Sequence, residues 1–152
     1  MDHASTHKLA PRQIDILLGR YAESHRNGLN ETIHMVCIPA IMFSLLGLLW
    51  ALHPAVALLA VAAALAYYVT LSRPFALGMG AMAAIMLGLL SSIPAAMVLP
   101  ASIGIFVLAW VGQFVGHHIE GKKPSFFEDL RFLLIGPLFV LSFLYRRMHV
   151  LY

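Results

Sequence analysis

The sequence predicts an all-α integral membrane helical bundle, and three observations predict it. Of 152 residues, 61% are hydrophobic and only 11% are charged, against roughly 25% charged in ordinary soluble domains. Neither Val36–Ser72 nor Pro74–Ile119 contains an Asp, Glu, Lys or Arg, and each run far exceeds the roughly 20 apolar residues that cross a bilayer. Proline and glycine punctuation then cuts these runs into crossing-length pieces. A mean hydropathy of +0.84 leaves too few polar faces for a soluble bundle. The expected layout of residues 1–152 is one membrane domain: about four transmembrane helices, an N-terminal interfacial helix and a C-terminal re-entrant or fifth helix.

The start, MDHASTHKLAPRQ, is polar and lacks the apolar centre of a secretory signal. Residues 1–10 are expected to be disordered. Over 11–27 the pattern is an amphipathic helix. Ile14, Leu17, Leu18, Tyr21 and His25 fall at i, i+3, i+4, i+7 and i+11 and form one stripe. Pro11 suits the first helical turn. Such a helix lies on the membrane interface with its apolar face down, which puts His25 on the buried side. Asn27-Gly28 signals a turn, and Asn30 is a good N-cap for the next helix.

The four spans, within 32–118, are expected at Thr32–Leu52, Ala55–Leu71, Phe75–Ala95 and Ala101–His118. They end at His53-Pro54, Ser72-Arg73-Pro74, the Pro94 to Pro100 region and Glu120-Gly121. Pro39 is expected to kink the first span. Lys8, Arg12, Arg20 and Arg26 precede the first span, Arg73 lies between the second and third, and Lys122, Lys123 and Arg131 follow the fourth. The other two turns carry no Lys or Arg, so the positive-inside rule puts the N-terminus and the end of span four in the cytoplasm. The segment 125–147 opens with a capping-box spacing, Ser125 to Glu128. Its apolar part, Phe132–Leu144, is short, interrupted by Gly136-Pro137 and flanked by Arg131, Arg146 and Arg147. This predicts a re-entrant or interfacial hairpin, with a fifth crossing as the alternative. The basic residues serve topology and lipid contact, and no nucleic acid partner is expected. With a single cysteine, Cys37, no intrachain disulfide can form.

One feature is out of place in such a chain. YAESHRNGLNETIH gathers His25, Asn30 and His34 at the mouth of span one. At the end of span four, Gln113, His117 and Glu120 share a helical face at i, i+4 and i+7, with His118 turned about 100° from His117. The topology puts both groups on one membrane side. Polar groups at membrane depth are costly and face the protein interior. His25, His34 and His117, with His118 or Glu120, can therefore share a cavity. Converging imidazoles with an optional carboxylate suit a transition metal, including non-haem Fe(II). Asn30 could orient a ligand. Arg26, Lys122 and Lys123 could attract an acidic amphiphile, or simply contact lipid phosphates.

SHRNGLNETIHMVCIP (Ser24–Pro39) and WVGQFVGHHIEGKKPSFFEDLRFLLIGPLF (Trp110–Phe139) resemble a family of small polytopic membrane proteins. Its fungal members are Fe(II)-dependent 2-hydroxy fatty acid dioxygenases. The family pairs H-x4-N-x3-H with a later QFxGHxxxE motif. His25, Asn30 and His34 match the first element. Gln113, Phe114, Gly116 and His117 match the second, while Glu120 comes one position early. The resemblance implies Fe(II) held by His25, His34 and His117, with His118 as a fourth imidazole. It implies 2-hydroxy fatty acid and O2 as substrates, membrane lipids as partners, and α-oxidation by one carbon as the reaction. The chain is expected to be a bacterial inner-membrane member. Three alternatives stand beside it: a lipid hydroxylase or desaturase, although no HxxHH box is present and the one HxxxH spacing, His3 to His7, lies in the polar start, a bis-histidine haem protein, and a non-catalytic lipid-binding protein.

Overall fold

The computed structural model describes residues 10–152, so the expected disordered start, with His3 and His7, lies outside the described residues. Six α-helices follow one another: α1 (Gln13–Ala22), α2 (Gly28–Leu52), α3 (Pro54–Leu71), α4 (Arg73–Ser91), α5 (Ala95–Glu120) and α6 (Phe132–Arg147). A 3-10 turn, Ser125–Phe127, separates the last two. Helices α2 to α5 are long and apolar enough to cross a membrane.

Local chemistry sets the boundaries, and several differ from expectation. Helix α2 starts at Gly28 because Asn27, not Asn30, is the cap: its side-chain oxygen accepts from the Leu29 N–H at 2.9 Å and the Asn30 N–H at 3.4 Å. His53 caps α3 through Nδ1, which accepts from the Ala55 N–H at 3.1 Å, ahead of Pro54 in the first turn. The break before α5 falls at Ser92–Pro94, and Pro100 lies inside the helix rather than in front of it. Placed so early, Pro100 removes a single intrahelical bond. Helix α5 stops at Gly121, whose φ of +70° is the left-handed turn that glycine takes without strain.

The ends of the chain pack differently from the sequence reading. Helix α1 is shorter than 11–27, and His25 lies in the turn after it. Its apolar stripe, Ile14, Leu17 and Tyr21, is buried against Phe132, Ile135 and Phe139 of α6, not laid on lipid. Helix α6 is one continuous helix with Pro137 inside it, not a hairpin. At 16 residues it is about 24 Å long, short of the roughly 30 Å hydrocarbon core. It is sheathed by other helices: the Tyr68 hydroxyl of α3 donates to the Leu134 carbonyl at 2.9 Å, and the Tyr145 hydroxyl of α6 donates to the Pro74 carbonyl at 2.6 Å. The expected capping box is not formed, since Ser125 makes no cap hydrogen bond and α6 starts only at Phe132.

The principal pair is α2 with α5, running antiparallel. Small residues line their seam, as close helix approach in lipid requires. Gly47 faces Ser102, and Gly116 faces Asn30 and His34. A Cβ on Gly112 would stand 2.6 Å from the Cys37 sulfur. Gly112→Val is therefore expected to destabilise the bundle by about 1–3 kcal/mol, measured by loss of helicity on SDS titration. Adding Cys37→Ala should recover part of that loss.

Candidate metal centre

The seam brings the two ends of the sequence together. His25 comes from the turn after α1, His34 from the second turn of α2 and His117 from the last turn of α5. All three are buried, at 5%, 1% and 4% exposure. Their ring centroids are 4.3, 5.1 and 4.7 Å apart, and one nitrogen of each ring lies within 4.8 Å of the other two.

Hydrogen bonding decides which nitrogens are free. His25 Nδ1 is 2.7 Å from the Tyr21 carbonyl, and His34 Nδ1 is 2.9 Å from the Asn30 carbonyl. A carbonyl oxygen only accepts, so each Nδ1 carries the proton and each Nε2 a lone pair. The Tyr21 ring stacks on His25 at 4.2 Å, fixing its plane. Burial pushes His25 below the ordinary imidazole range, opposed in part by the Tyr21 carbonyl and the Glu120 charge, so the ring is neutral near pH 7.

This donor set fits a metal ion. His25 Nε2 and His117 Nδ1 are buried without a hydrogen-bond partner, while the Nε2 atoms of His34 and His117 lie within hydrogen-bond distance of each other at 3.1 Å. Leaving such groups unsatisfied costs about 1–3 kcal/mol each. Two imidazole nitrogens bound to one ion at about 2.1 Å and a right angle stand about 3 Å apart. Nδ1–H donation to backbone carbonyls is the outer support that ligating histidines use.

The other expected residues fall into three groups. Glu120 fastens the turn that carries His25. Its carboxylate accepts from the Arg26 N–H at 2.9 Å, the Asn27 N–H at 2.8 Å and the Asn30 side-chain amide at 3.0 Å. Asn30 is fully buried and also donates to the Ser24 carbonyl at 3.2 Å. His118 is exposed and outside the cluster, because the rotation of one residue along α5 carries it away from His117. Arg26, Lys122 and Lys123 are exposed as well. Gln113 is buried and, with His117, lines a cavity of about 70 Å³. Sequence reasoning missed Tyr21 as the partner of His25, although its i, i+4 spacing was visible. It also missed Trp110 and Ser125, which line the same cavity.

Residues 12–148 match the Mpo1-like family, described as 2-hydroxy-palmitic acid dioxygenase Mpo1-like. The chain is similar to 2-hydroxy-palmitic acid dioxygenase MPO1 of Saccharomyces cerevisiae, with 29% identity over 136 residues, covering 85% of this chain and 78% of that protein. No solved structure matches.

Glu120→Ala should loosen the His25 turn while leaving every imidazole in place. Metal affinity, read by competition with a chelator, is expected to fall about 10–100-fold. His118→Ala should leave it unchanged.

Proposed function

The chain belongs to the Mpo1-like family, and from that premise we propose that it is an Fe(II)-dependent dioxygenase that shortens 2-hydroxy fatty acids by one carbon. The observation that carries this reading is the convergence of three buried imidazoles from distant parts of the sequence. His25, His34 and His117 would hold the ion. When bound, Fe(II) supplies the redox and Lewis-acid chemistry that brings O2 and a 2-hydroxy acid to reaction.

The overall reaction is RCH(OH)COOH + O2 → RCOOH + CO2 + H2O. The substrate gives up all four electrons that O2 accepts, so neither a reductase nor an oxidisable co-substrate is required. The protein's own tasks are then holding and shielding. Glu120 and Asn30 fix the turn between α1 and α2, and the Tyr21 and Asn30 carbonyls fix two ring tautomers. Burial of all three rings keeps bulk water from the centre. Under the positive-inside rule this end of the bundle faces the cytoplasm, where Arg26, Lys122 and Lys123 meet lipid headgroups.

The bis-histidine haem alternative does not suit the geometry. Ligands on opposite sides of one iron, each at about 2 Å, would stand about 4 Å apart with the macrocycle between them. The Nε2 atoms of His34 and His117 are 3.1 Å apart, and His25 packs edge-on against both rings.

Anaerobically purified protein loaded with Fe(II) is expected to convert 2-hydroxypalmitate, on admission of O2, to the acid one carbon shorter, read by lipid mass spectrometry. His34→Ala and His117→Ala should each reduce product to background and lose the iron. Product formation without iron, or undiminished in both variants, would sink the reading.

A further inference from the structure

The cavity of about 70 Å³ beside His117 has a largely apolar wall that carries a few polar side chains. Ser125 and Gln113, 5% and 6% exposed, both line it. Trp110 lines it too, and its indole Nε1 and the Ser125 hydroxyl are buried without a hydrogen-bond partner. An indole N–H can only donate, a hydroxyl donates readily, and a glutamine amide offers two N–H groups. Orphaned donors of this kind cost stability unless an acceptor arrives. The volume holds several waters, and so the few heavy atoms of a carboxylate with a neighbouring hydroxyl. Among the described residues, no Lys or Arg lines the cavity.

The apolar side of the cavity leads elsewhere. Ile41, Met42, Trp110, Leu133 and Pro137 also line a second, half-open apolar chamber of about 430 Å³ between the helices. That chamber reaches Leu49 on α2 and Ala60 on α3. Its one hydroxyl side chain, Tyr68, is already engaged with the Leu134 carbonyl. From His34 to Leu49 the α2 helix advances about 22 Å, well past half the hydrocarbon thickness. The five common residues set the small cavity beside the histidines directly against the long apolar chamber.

We propose that cavity and chamber form one site for a free fatty acid, in which Trp110, Gln113 and Ser125 donate hydrogen bonds to the carboxylate beside His117 and the chain lies in the chamber. The proposal rests on the reading of the histidines as the reaction centre, and extends it to the residues that seat the substrate. N–H and O–H donors favour the acid over its esters, amides and thioesters, because an ionised carboxylate accepts stronger hydrogen bonds than a neutral carbonyl. Ala60 sits at the deep end, where a larger side chain would shorten the space left for the tail.

The chain has two tryptophans, and Trp50 lies at the opposite end of α2. In a Trp50→Phe background Trp110 becomes the sole tryptophan, excited selectively over the tyrosines. Full-length, iron-loaded protein in nanodiscs, kept without oxygen so that nothing turns over, is titrated with 2-hydroxypalmitate. A saturable change in Trp110 emission is expected. Ser125→Ala and Gln113→Leu should each weaken binding about tenfold, and the methyl ester should bind the parent about as poorly. Gln113→Glu keeps the packing and should weaken the acid further by like-charge repulsion. Ala60→Phe should penalise the sixteen-carbon acid and spare an eight-carbon one. Unchanged affinity in all three polar variants, or equal binding of acid and ester, would overturn the proposal and leave a lipid tail as the occupant. Binding as described without one-carbon shortening on adding O2 would instead defeat the dioxygenase reading. Shortening at unchanged KM in the Gln113 and Ser125 variants would defeat the seating role alone.

Discussion

The close, antiparallel contact of α2 with α5 is the constraint on which the rest depends. Gly47, Gly112 and Gly116 lie where any side chain would meet Ser102, Cys37, Asn30 or His34. Because the backbones approach so nearly, the start of α2 and the end of α5 share one level. His34 and His117 are then forced face to face at 3.1 Å. A bulkier seam would separate the helices and, with them, the two nitrogens. Packing in lipid and ligand geometry are here the same fact, because close approach of helices in a bilayer comes from small residues rather than from a hydrophobic driving force.

The cluster also answers why costly polar groups sit at the mouth of an apolar helix. Each is held by at least one specific contact, although His25 Nε2, Asn30 Oδ1 and His117 Nδ1 are left without a hydrogen-bond partner. The Glu120 carboxylate gathers two backbone N–H donors from the turn after α1 and the Asn30 side-chain amide from α2, which ties His25 to the end of α5. Tyr21 supports His25 with a carbonyl and a stacked ring, and it is itself buried because α1 packs on α6. Thus α6, too short to span by itself, acts as the wall that holds α1 and completes the cavity through Leu133, Gly136 and Pro137. The imidazole nitrogens left over are those a metal would use.

Much of this was legible in the sequence. Uncharged runs and the residues that interrupt them locate α2 to α5 closely, because an eighteen-residue apolar helix has few other folds open to it. The meeting of His25 and His34 with His117 follows from counting crossings. What was not legible depends on rotation and on tertiary contact. Asn27 and Asn30 are both good caps one turn apart, and only the fold decides that the first one caps. His118 and Glu120 both flank the right turn, yet the former points outward and the latter grips a backbone. The burial of α1 against α6 is invisible locally, since an amphipathic stripe faces lipid or protein equally well. The orphaned donors of Trp110 and Ser125 exist only once four segments have packed.

The central claim is that three imidazoles from the two ends of the chain bind one ion. X-ray absorption fine structure on anaerobic, Fe(II)-loaded protein tests it most directly. The account predicts one iron per chain with three imidazole scatterers in its first shell, and the loss of one in His25→Ala. An iron shell without imidazole, or one identical in parent and variant, would contradict it.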